Sequence, residues 1–187
     1  MDQKLKLSPT AIQGVLVAET QLIADHRGAF ARVFCENDLA ATLNGRRILQ
    51  ANLSSTAGVG AVRGMHYQLA PHAEMKLVRC IKGRVWDVAV DLRSGSPTFL
   101  KWHAEELTPK NSRMLIIPEG CAHGFQVLEA ESELLYLHTA AYAPEAEGGV
   151  RHDATILSIS WPLPVTDLSD RDRNHPEIPL NFPGFKV

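Results

Sequence analysis

From residue 48 onward the chain falls into short apolar runs closed by turn residues, and only one segment of the whole sequence carries a convincing helix start. A chain of this kind satisfies its backbone polar groups by pairing strands. Many short strands with regular turns assemble into an all-β barrel or jelly roll. The run from Arg84 to Leu92 shows the period most clearly. Trp86, Val88, Val90 and Leu92 fall on one face, and Val85, Asp87, Ala89 and Asp91 fall on the other. A face that mixes small apolar residues with two carboxylates suggests a barrel interior holding something polar. The same face turned to solvent is the competing reading, and this strand alone leaves the two even. Further strands are expected over residues 99–107, 114–117, 125–128 and 134–139.

The N-terminal part reads as a hairpin, with a strand over 14–20, a turn at Asp25-His26-Arg27-Gly28 and a return strand over 29–35. Asn37 to Leu43 has an N-cap residue and helix formers, with Gly45 soon after, so one short helix is expected there. After Pro144 the chain becomes turn-rich. The proline-rich stretch from Trp161 to Val187 has no strong period and is expected to wrap the surface and close a site. No internal boundary or repeat appears, so residues 1–187 read as a single domain.

Composition narrows the function. A net charge of −2 and a pI near 6.4 give no electrostatic case for nucleic acid or for an anionic membrane. No apolar run is long enough to span a bilayer, and Met1 to Lys4 lead into no signal-like segment. Cys35, Cys80 and Cys121 lack C-x-x-C spacing and read as free thiols in a reducing cytoplasm.

Two stretches carry chemistry. Arg63-Gly64-Met65-His66-Tyr67-Gln68 reads as a strand bearing a base, and Lys76 opens the next strand. Pro118-Glu119-Gly120-Cys121-Ala122-His123 is a P-x-G turn with a histidine three residues on. This second stretch resembles the second motif of the cupin barrels, and Lys76 with Gly83 resembles the end of the first. That motif normally places a glutamate where Lys76 stands and a histidine where Gln68 stands. An ammonium at the carboxylate position repels a divalent ion, so the site reads as metal-free and without a cofactor. Lysine suits an anionic intermediate such as an enolate. Histidine suits proton abstraction near neutral pH. A tyrosine suits proton return to the opposite face. Together they describe epimerisation beside a carbonyl.

Ordered matches along most of the chain resemble the dTDP-4-dehydrorhamnose 3,5-epimerase family. They include Asp25-x-Arg27-Gly28-x-Phe30, Gln50-x-Asn52-x-Ser54, Arg63 to Gln68, Lys76-Leu77-Val78-Arg79, Asp87 to Arg93, Ile117 to Phe125, Tyr142-Ala143-Pro144-Glu145 and Leu168 to Asp172. The resemblance implies a cupin-like jelly roll that epimerises C3 and C5 of a nucleotide-diphospho-4-keto-6-deoxyhexose. It implies His66 as base in concert with Asp172, and Lys76 at the enolate oxygen. Tyr136 would be the acid, with Tyr142 as its rival. Arg63 would bind the pyrophosphate, and His123 would line the sugar and phosphate region. Arg27, Gln50 and Asn52 would hold the nucleotide. In the family the N-terminal hairpin crosses into a partner, so Arg27 and Phe30 would complete the neighbour's site in a homodimer.

The matches also break in places. Arg32 stands where the family usually has a glutamate that contacts the base, which leaves the nucleotide open. Ala141 replaces one of two paired tyrosines. Gly148-Gly149 stand where an arginine is common, and His152 where an aromatic is common. A C3-only epimerase, a 3,4-ketoisomerase and a non-catalytic sugar-nucleotide-binding cupin are the alternatives. Each residue also has a structural reading: Lys76 as a surface lysine, Tyr136 as a core residue, Asp172 as a turn cap. Arg63 and His66 differ in strand parity, so they share a pocket only if Gly64 distorts the strand. His26, His72, His103, His152 and His175 carry no motif and read as surface or structural.

Overall fold

The computed structural model describes residues 5–187. Two antiparallel sheets pack face to face as a jelly-roll barrel. The first has six strands in the order β1 (Leu5–Pro9), β2 (Leu16–Thr20), β10 (Arg113–Ile117), β7 (Lys76–Lys82), β12 (Ser132–His138), β5 (Gln50–Thr56). The second has five, in the order β13 (Glu147–Gly149), β6 (Val62–Gln68), β11 (Cys121–Val127), β8 (Val85–Asp91), β9 (Trp102–Leu107). A separate hairpin pairs β3 (Leu22–Asp25) with β4 (Gly28–Ala31).

Three apolar layers follow from strand alternation. Between the sheets, Val78, Cys80, Leu115 and Ile117 meet Val85, Ala89, Phe125 and Val127. Val88 and Val90, on the opposite face of β8, and Leu92 just after it are covered by Ala154, Leu157, Ile178, Phe182 and Phe185 from the C-terminal stretch. The outer face of the six-stranded sheet, with Ala18, Leu77 and Ile116, is covered by Leu39 and Leu43. The alternation of β8 therefore resolves in favour of the interior. Asp87 lies inside the barrel and is fully buried.

Several local expectations are corrected. The strand over 14–20 does not pair with residues 29–35. Its core, β2, pairs with β1 and β10, and the hairpin is the shorter β3–β4 pair around Asp25 to Gly28. Arg27 closes that turn by donating to Asp25 from its backbone and its guanidinium. The helix α1 starts later than Asn37, at Ala40, and ends at Leu43 with Asn44 in the left-handed region. His123 lies inside strand β11, whose start at Cys121 follows directly on the Pro118 turn. The C-terminal wrap holds a helical turn, α2 (Asp170–Arg173), capped by Ser169, whose hydroxyl accepts from the Asp172 backbone. Among the described residues no helix is long and apolar enough to cross a membrane.

Candidate active site

The mouth of the barrel holds a cavity of about 450 Å³, within the range of small-molecule sites. Arg63, His66, Lys76, His123, Tyr136 and Tyr142 line it, with Gln50 and Asn52 along one wall. These residues come from β5, β6, β7, β11, β12 and the loop after β12, so the cavity exists only once the barrel has closed.

β6 shows how Arg63 and His66 come to share it. His66 stands opposite His123, but Arg63 stands opposite Phe125. Three steps on β6 thus match two on β11, which is a bulge of one residue. Gly64 sits at that bulge with φ +127°, and a Cβ there would lie 2.5 Å from the Gly124 Cα. The extra residue cancels the parity difference between Arg63 and His66.

His66 and Asp172 meet through the C-terminal wrap. The His66 Nε2 lies 2.6 Å from Asp172 Oδ1, and Asp172 Oδ2 accepts from the Gly64 N–H at 3.0 Å. Burial works against the charge on Asp172, but the bonds from His66 and Gly64 outweigh it. They hold the carboxyl at about 2, well below its ordinary value. An ionised carboxylate only accepts, so Nε2 carries the hydrogen. Nδ1 has no hydrogen-bond partner among the described residues and is the nitrogen left to take a proton.

A second imidazole–carboxylate pair stands across the strands. The His123 Nε2 lies 2.8 Å from Asp87 Oδ1. Burial raises the Asp87 carboxyl, and the His123 contact opposes it. A third pair lies beside Lys76, which is itself almost fully buried. The Lys76 ammonium sits 3.3 Å from Glu74 Oε1 and donates to the His66 carbonyl, while Glu74 Oε2 accepts from His138 Nδ1 at 2.8 Å. Burial opposes the charge on Glu74, but His138 and Lys76 outweigh it and the carboxyl lies below its ordinary value. Sequence reading left out Glu74 and His138. One signal was available for His138, its place two residues from Tyr136 on one strand face. Glu74 precedes its strand and carries no period.

Tyr136 stacks on His138 and meets His123 edge-on. Burial, then the Asp87 charge, pushes its phenol far above the ordinary range, so it holds its proton at neutral pH. Tyr142 is well exposed and donates to Glu147 Oε2 at 2.8 Å. Gln68 pins the loop on either side of Tyr142 by accepting from the Ala143 N–H and donating to the Ala141 carbonyl. Gln50 donates to the Ala140 carbonyl, with Asn52 beside it. His175, read from sequence as surface or structural, packs edge-on against His66. Arg27 and Phe30 lie outside the cavity, on the exposed β3–β4 hairpin, where Phe30 is 70% exposed. The donor set at the usual cupin metal position does not fit a metal, because Lys76 places an ammonium there and Gln68 has spent its amide on the backbone.

A jelly-roll barrel whose mouth presents a carboxylate-held histidine, a buried lysine and a proton-bearing tyrosine is the architecture of the cupin-fold epimerases. The chain belongs to the dTDP-4-dehydrorhamnose 3,5-epimerase family, whose model matches residues 9–179. It is 40% identical to a dTDP-4-dehydrorhamnose 3,5-epimerase of Sinorhizobium fredii, over 97% of this chain and 98% of that one. It is 38% identical to a dTDP-4-dehydrorhamnose 3-epimerase of Streptomyces niveus, over 91% of this chain and 82% of that one. The solved 3,5-epimerase of Legionella pneumophila, in complex with dTDP-4-keto-L-rhamnose, superposes with a TM-score of 0.90 at 34% identity, covering 98% of this chain and all of that one.

Proposed function

We propose that this protein epimerises C3 and C5 of a nucleotide-diphospho-4-keto-6-deoxyhexose of the dTDP-4-dehydro-6-deoxyglucose type. The convergence of His66–Asp172, Lys76 and Tyr136 on one cavity carries the reading. His66 Nδ1 takes the proton from the carbon beside the carbonyl. The C–H electron pair forms the enolate double bond, and the carbonyl oxygen becomes anionic. Lys76 stabilises that oxygen, held in place by Glu74. Asp172 stabilises the imidazolium that forms on His66. Tyr136 then delivers its proton to the opposite face, which inverts the carbon. Tyr136 is preferred to Tyr142 as the acid because the Tyr142 hydroxyl is committed to Glu147. Arg63 and His123 take the pyrophosphate side, and Gln50 and Asn52 the nucleotide.

The working unit is a homodimer in a reducing cytoplasm. The β3–β4 hairpin exposes Leu22, Ile23 and Phe30 on a two-stranded ribbon, and such a ribbon is marginal by itself and gains by docking. Docking on a second copy would bring Arg27 and Phe30 to the partner's cavity. All three cysteines are unpaired, as that compartment requires.

Solvent-deuterium incorporation into dTDP-4-keto-6-deoxyglucose, followed by NMR, tests the reading, with His66→Ala as control. Deuterium at C3 and C5 that disappears in the variant is the expected result. Deuterium at C3 alone would move the assignment to a 3-epimerase, the activity named for the Streptomyces niveus relative. Absence of exchange with any nucleotide sugar would leave a binding protein.

A further inference from the structure

We propose that His66, Asp172 and His175 form an inhibitory binding site for a borderline divalent transition-metal ion, with Zn²⁺ as the type. One nitrogen of each imidazole and one Asp172 oxygen lie within 4.8 Å of one another. The site is separate from the position that metal cupins use, which Lys76 occupies here.

Two observations point to a ligand. The first is His175 itself. Its side chain is nine-tenths buried, its Nε2 lies 3.5 Å from Asp172 Oδ1, and that nitrogen has no hydrogen-bond partner among the described residues. A buried ring nitrogen left unpartnered and aimed at a carboxylate is an open coordination position. A Cβ on Gly149 would overlap this ring, so glycine there leaves the room it occupies. The second is spacing. Bonds of about 2.0–2.2 Å in a tetrahedral site place neighbouring ligand atoms roughly 3.3 Å apart. The His175–Asp172 separation already matches. The His66–Asp172 contact of 2.6 Å needs to open by less than about 1 Å.

Charge and ligand type select the ion. His66 and Asp172 border a second cavity of about 330 Å³, shared with Arg63 and Arg171, and His66 is about a quarter exposed. Arg171 is neutralised by Glu147 at 2.6 Å, but Arg63 has no carboxylate partner among the described residues. That surplus positive charge disfavours hard, oxygen-seeking Mg²⁺ or Ca²⁺. Two imidazole nitrogens and one oxygen bind Zn²⁺, Ni²⁺ or Cu²⁺ strongly enough to overcome it. The ion takes the Nε2 position of His66, whose hydrogen moves to Nδ1, and it takes the Asp172 oxygen that stabilises the imidazolium. With zinc on Nε2 and the hydrogen on Nδ1, His66 has no free lone pair for the substrate proton, and proton abstraction stops.

The test uses tag-free, chelator-stripped protein. Zinc binding is followed by competition with a chromogenic chelator, which needs no substrate and stands whether or not the epimerase reading does. The wild type is expected to bind one Zn²⁺ per chain, and His175→Gln to bind at least about tenfold more weakly. His72→Gln, away from the cluster, should match the wild type. Zinc should quench deuterium exchange in the wild type, and quench it at least tenfold less effectively in His175→Gln relative to that variant's own metal-free rate. If circular dichroism shows His175→Gln to be unfolded, His175→Asn takes its place. Equal zinc affinity in wild type and variant, or no binding by the wild type at millimolar zinc, would overturn the proposal.

Discussion

Replacing Asp172 with asparagine separates its structural role from its chemical one, and the structure sets the size of the first. Asp172 is almost fully buried, and its carboxyl is depressed from 3.8 to about 2. A group whose folded pKa lies below its unfolded value contributes stability that is present above the unfolded value and lost as pH falls through the folded one. The contribution is about 2 kcal/mol at neutral pH, roughly half of that at pH 3, and little at pH 2. Asparagine keeps the shape but cannot accept from both His66 and Gly64, so the variant forfeits this stabilisation. Urea unfolding of both proteins at pH 7, 4 and 3 should show a deficit of about 2 kcal/mol that narrows across the acid range. The exchange rate should fall by roughly 10² to 10⁴, since the His66 tautomer is no longer fixed. A stability deficit that stayed constant from pH 7 to pH 3 would refute the view that ionised Asp172 carries it.

Three further outcomes are expected. Gly64→Ala should cost about 3 kcal/mol in urea unfolding, because the added Cβ meets the Gly124 backbone at a positive φ; full stability would show that β6 can carry its bulge elsewhere. Burial pushes the Cys80 thiol up to about 11 and the Cys121 thiol up to about 12. Native protein should therefore lose only Cys35 to an alkylating reagent at pH 8, and all three thiols in denaturant, by mass spectrometry. Arg32→Glu restores the family's acceptor on the exposed segment after β4, and should lower KM for a thymidine nucleotide substrate by about tenfold with kcat little changed. An unaltered KM would remove Arg32 from base selection.

The alternation of residues 85–91 was legible because period two needs no partner to be read, and it grouped Asp87 with Ala89 on one face; only the packing of the two sheets decided that this face turns inward. The hairpin was read too long. Turn chemistry at Asp25 to Gly28 marks the bend but not which strand each arm joins, and β2 gained more by pairing with β10 in the main sheet. The parity conflict between Arg63 and His66 could be stated from sequence, together with its remedy at Gly64. The bulge that resolves it appears only in the register against β11.

The sequence by itself determined the strand-rich class, the placement of the motifs and the residue types that can carry acid–base chemistry, because these depend on local period and on side-chain chemistry. Tertiary structure alone decided the pairings. Asp172 reaches His66 from 106 residues away because the C-terminal stretch must cover Val88, Val90 and Leu92. Glu74 and His138 meet around Lys76 because β7 and β12 are paired in one register. His175 comes to rest beside the same carboxylate for the reason that places Asp172 there. Contacts of this kind depend on how sheets register and what the tail must bury, and neither quantity is contained in any short window of sequence.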